Sequence, residues 1–174
     1  MNVTEPTGRP EPSASQRAAS LKERVYISFT SLAVVLALGS HANETTPAAA
    51  AATLSIVVIG SLLGILVADL LSHLTVHAKL PSSEEFRGMV AVSTEALSVL
   101  VTPLLLLTAA GLGLWSTAVA LQWAIVVLVV TLLVIGYLAI RRLDLPFHHK
   151  VIIVFAEVVL SISVIGLELL AHNL

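Results

Sequence analysis

With 174 residues, 57% of them hydrophobic and only 11% charged, the chain has less than half the roughly 25% charge of a soluble domain, so lipid is the solvent for most of it. A formal net charge of -2, with no basic stripe or aromatic platform, excludes a nucleic-acid partner. The absence of cysteine excludes disulfides, thiolate metal sites and cysteine nucleophiles.

Residues 1–20 (MNVTEPTGRPEPSASQRAAS) are rich in Pro, Ser, Thr and Glu and offer little to bury, which predicts a disordered cytoplasmic tail. A secretory signal is not expected, because the first apolar stretch starts too late. Residues 21–174 then read as one membrane domain of five spans, at about 25–40, 49–76, 88–112, 116–140 and 151–171. The first span is short, just under about 17 residues, and carries Ser28, Thr30 and Ser31.

The second span holds Gly60 and Gly64, a small-xxx-small spacing that lets two helices approach closely. Its far end carries Asp69, His73 and His77 one turn apart on one face. Two imidazoles at this spacing, with a carboxylate one turn away, suit a divalent metal ion. The third span places Glu95, Ser98 and Thr102 on one side, next to Pro103, which predicts a kink. Gly111 and Gly113 predict a tight turn into the fourth span. The fifth presents Glu157, Ser161, Glu168 and His172 within about 60° of arc, a polar stripe along its length.

Charge decides the doubtful first span. With five spans, all nine Lys and Arg (Arg9, Arg17, Lys22, Arg24, Lys79, Arg87, Arg141, Arg142 and Lys150) fall on one side of the membrane. The positive-inside rule then predicts an all-α integral membrane protein, a five-helix transmembrane bundle with a cytoplasmic N-terminus and the C-terminus outside. The plasma (inner) membrane is the expected location.

Asp69, Glu95 and Glu157 lie roughly 15, 12 and 10 Å inward from Lys79, Arg87 and Lys150, so they are expected to share one layer. An intramembrane carboxylate costs roughly 2.5–3.5 kcal/mol and normally has a partner or a task. No Lys or Arg is expected at that depth, so the layer should be protonated, bind a cation, line water or face another protein. The leading expectation is a small transporter or channel for protons or cations, with divalent metal among them. Its pathway would use Asp69, Glu95, Glu157, His73, Ser98, Ser161, Glu168 and His172, and its metal ligands would be Asp69, His73 and His77. Five helices are few to enclose a pathway, so a homo-oligomer through Gly60 and Gly64 is expected besides the lipid bilayer. Beyond that metal ion no cofactor is called for. The second reading is a non-enzymatic accessory or assembly subunit whose buried acids pair with a partner's bases. No HExxH, serine elbow or phosphate-binding glycine loop is present, and no enzymatic activity is expected.

Overall fold

The computed structural model describes residues 14–141 continuously, with 146, 148–149, 151–152, 155–156, 158–160, 162–163 and 166 beyond them. The described residues contain five α-helices and no strand: α1 (Ala14–Ser40), α2 (Pro47–His77), α3 (Ser83–Ala96), α4 (Val101–Gly111) and α5 (Thr117–Arg141). Of the described residues from 148 onward, all are helical, but they do not define the expected span at 151–171.

Three helices are long and apolar enough to cross a membrane: Pro47–His77, Ser83–Gly111 and Thr117–Arg141. The middle one is α3 and α4 joined through a 3-10 turn at Leu97–Leu100. Pro103 explains the interruption. It has no N–H to give the carbonyl four residues back, and its ring crowds that carbonyl, so the turn before it tightens. The kink expected at Pro103 therefore takes the form of a 3-10 turn just upstream.

Each connection has its own chemistry. Thr46 caps α2 by accepting the Ala49 N–H at 3.2 Å, with Pro47 in the first turn, where a missing N–H is harmless. Ala78 closes α2 in the left-handed region, at φ 50°. Ser82 and Glu85 form a reciprocal capping box that starts α3. Gly113, at φ 82°, makes the tight turn before α5, and the Trp115 indole donates to the Leu106 carbonyl at 3.1 Å.

α1 packs against α2, α3, the 3-10 turn and α5, while α4 packs against α2 and α5. The centre of the bundle is thus a helix outside the three that are apolar enough to cross a membrane. Glu23, Ile27, Ser28, Ser31, Leu32 and Val35 of α1 are all buried, and they recur at three- and four-residue steps as one helical face should. Opposite them stand Ala50, Leu54, Val58 and Leu62 of α2 and Ala120, Leu121, Ala124, Leu128 and Leu132 of α5. The alanines let backbones approach, which matters where packing rather than the hydrophobic effect joins helices.

α1 begins at Ala14, so residues 14–20, read as tail, are helical. Gly60 and Gly64 lie on the outward face of α2, where an added Cβ would meet nothing within 4 Å, so they make no contact inside the bundle.

Candidate functional site

The first half of α1 carries the chemistry. Its sequence, AASLKER after Gln16 and Arg17, is built of good helix formers, so the helix continues through the charges instead of stopping at them. Running antiparallel to α2, it lies beside the Asp69–His77 end of that helix, the first turns of α3 and the last turns of α5. Two of its side chains meet the acids read from the sequence. Lys22 Nζ stands 3.7 Å from Asp69 Oδ1, and Arg24 Nη1 stands 3.7 Å from Glu95 Oε1. The Ser20 hydroxyl also donates to Glu95 Oε2 at 2.7 Å.

These pairs overturn the expectation that no base reaches the depth of the acids. The physical reason lies in α2 itself. Residues 48–68 are free of charge and cover roughly 30 Å of hydrocarbon on their own, which puts Asp69 at the edge of that layer. Lys22 and Arg24 reach that edge from α1. Asp69 and Glu95 also do not converge. They border different cavities on different faces of α1, one with Gln16, Ala19 and Glu23, the other with Arg17, Ser20 and Arg24. Glu95 is exposed, and Ser98 faces outward with it.

Between the two pairs lies Glu23, which the sequence reading passed over. It is 1% exposed, with Ser93 and Asp69 as side-chain neighbours and no base within ion-pair distance among the described residues. Burial pushes its carboxyl above the usual range; the nearby Ser93 hydroxyl opposes the shift, the Asp69 charge adds to it and Lys22 offsets it in part. Ser93 is itself buried. A cavity of about 560 Å³ opens beside Glu23, bounded by α1, α2 and α3, and Asp69, His73 and His77 share its wall.

The two histidines are stacked, with ring centroids 4.4 Å apart. His77 Nδ1 lies 3.2 Å from the His73 carbonyl, which assigns the proton to Nδ1 if that ring is neutral. His73 Nε2 is buried without a hydrogen-bond partner. Among the described residues no three His, Asp or Glu side chains are grouped to hold one metal ion, so Asp69, His73 and His77 share a cavity wall without forming a ligand cage. Glu157, Ser161, Glu168 and His172 lie outside the described residues.

One signal in the sequence pointed to Glu23. Ala19, Glu23, Ile27 and Ser31 continue a single four-residue step, so a helix drawn through the charges puts Glu23 on the buried face. Ending the apolar window at residue 25 hid it.

No protein-family model matches this chain, and comparison with curated proteins and with solved structures finds no match.

Proposed function

We propose that this protein moves protons or small cations across a membrane, and that Glu23, Asp69 and His73 are the side chains that handle them. The observation that carries the reading is Glu23, a buried carboxyl with no ion pair to a base among the described residues, on the wall of a cavity that also holds Asp69 and two histidines. A buried group of this kind is unfavourable for folding alone, and such groups concentrate at sites that bind or exchange charge. Glu23 can release a proton to, or take one from, the water that enters the open cavity. Asp69 sets how readily it does so, and His73 offers an unpaired ring nitrogen as the next station.

The internal pairs speak against the accessory-subunit reading. Asp69 and Glu95 already have Lys22 and Arg24, so neither needs a basic residue from another protein. In the finer architecture that goes with this function, α1 crosses the bilayer as the first of five spans. It packs along its length between apolar spanning helices, from Glu23 beside Asp69 at one end to Leu38 against the core at the other. Every described Lys and Arg lies at the Glu23 end, which supports a cytoplasmic site, a cytoplasmic N-terminus and an outer C-terminus. The outward Gly60–Gly64 face is the surface through which two copies would meet in the plasma membrane.

The test is flux into proteoliposomes of the full chain, comparing protons, monovalent and divalent cations on one preparation. Proton or cation movement that falls together in Glu23→Gln and Asp69→Asn, with the double variant little worse than either, supports one shared site. Absence of movement of any of these ions by the wild-type protein contradicts the reading.

A further inference from the structure

We propose that the cavity between α1, α2 and α3 binds a monovalent organic cation, an amine or quaternary ammonium with an apolar body, through the Glu23 carboxylate. This rests on the transport reading above and names the substrate class of its site. The first argument is size. A volume of about 560 Å³ lies within the roughly 300–1,000 Å³ of small-molecule pockets and exceeds what a proton or single ion occupies.

The second argument is the lining. Ala19, Val76, Met89 and Val92 present an apolar wall on three helices, with Met89 able to adapt its shape to a ligand. Such a wall suits the hydrocarbon body of an organic cation, while Asp69, Ser72 and Glu85 on the same cavity leave a polar side for its charged end. The third is charge. Lys22 is committed to Asp69, and Arg24 to Glu95 on another face of α1. Glu23 remains at the cavity, 1% exposed, beside Ser93 and Asp69 and with no ion pair to a base among the described residues. An organic cation supplies the counter-charge that Glu23 lacks while its body covers the apolar wall.

The experiment is calorimetry on the detergent-solubilised full chain, with benzyltrimethylammonium as the probe and neopentylbenzene as its uncharged isostere. Saturable binding of the cation is expected, at least tenfold tighter than the isostere, with at least tenfold loss in Glu23→Gln. Val92→Phe, which narrows the cavity and leaves the carboxyl in place, should weaken the cation at least tenfold as well. It keeps the test decisive if Glu23→Gln does not fold, which a thermal melt reports. Equal binding of cation and isostere, or binding indifferent to both substitutions, overturns the inference. Glu23-dependent proton flux with no binding of the probe overturns it too and leaves the transport reading standing. Glu23-dependent binding of the probe without flux of any ion overturns the transport reading alone.

Discussion

At the scale of single residues, Glu23 and Glu95 differ in what surrounds them, and that difference predicts opposite behaviour. Glu95 is 55% exposed in its side chain and meets Arg24 near the surface, so Glu95→Gln should change stability by less than about 1 kcal/mol. Glu23→Gln removes a buried carboxyl whose charged form is disfavoured by burial, so it should raise the stability of the folded protein at neutral pH by roughly 1–3 kcal/mol, read by thermal melting in detergent. The pH dependence follows from the raised carboxyl. The folded protein holds the Glu23 proton where the unfolded chain has already lost it, so rising pH favours unfolding. The contribution from Glu23 is fully present below its ordinary value of 4.5 and is lost as pH rises through the higher folded value. Glu23→Gln should remove that component of the pH profile, and an unchanged profile would count against a perturbed Glu23. Asp69 and His73 were legible in the sequence because charge inside an apolar run stands out. Glu23 was not, because it sits among Lys22, Arg24 and Arg17 in a stretch that looks solvated, and only the helical phase tells it from its neighbours.

At the scale of elements, the three apolar helices were legible almost to their ends. Expected spans at 49–76, 88–112 and 116–140 correspond to Pro47–His77, Ser83–Gly111 and Thr117–Arg141. Continuous hydrophobicity marks such helices strongly, and their ends are fixed by caps at Thr46 and Ser82 that the sequence also displays. The extent of α1 was harder to read because hydropathy changes at the lipid boundary while helix propensity does not. Its central position was hidden for a related reason: polar and small side chains such as Ser28 and Ser31 lower its hydropathy yet pack well between helices. Packing at α5 gives a prediction. Ala124 is fully buried at the centre of the bundle, so Ala124→Leu should destabilise by about 1–3 kcal/mol through overpacking. Gly64→Leu, by contrast, points into open space and should leave the melting temperature of the isolated bundle unreduced. If two copies meet through that face, the same change should abolish cross-linked dimer in membranes. A dimer that persists would move the contact elsewhere.

At the scale of the whole molecule, the bundle places its described bases, its buried carboxyl and the cavities beside Glu23 and Glu95 at one end, and the Ser40–Pro47 and Gly111–Thr117 connections at the other. Because the chain has no native cysteine, single cysteines report that orientation cleanly. Glu44→Cys should react with an impermeant reagent from outside intact cells, and Ser83→Cys only after lysis. The reverse pattern would invert the assignment of the Glu23 cavity to the cytoplasm. The most direct measurement of the central claim is proton movement itself, followed by a trapped pH-sensitive dye in proteoliposomes under an imposed pH gradient. The account predicts acidification of the lumen by the wild-type protein, retained in Glu95→Gln and lost in a Glu23→Gln variant that still folds. Equal rates in wild type and Glu23→Gln would contradict it.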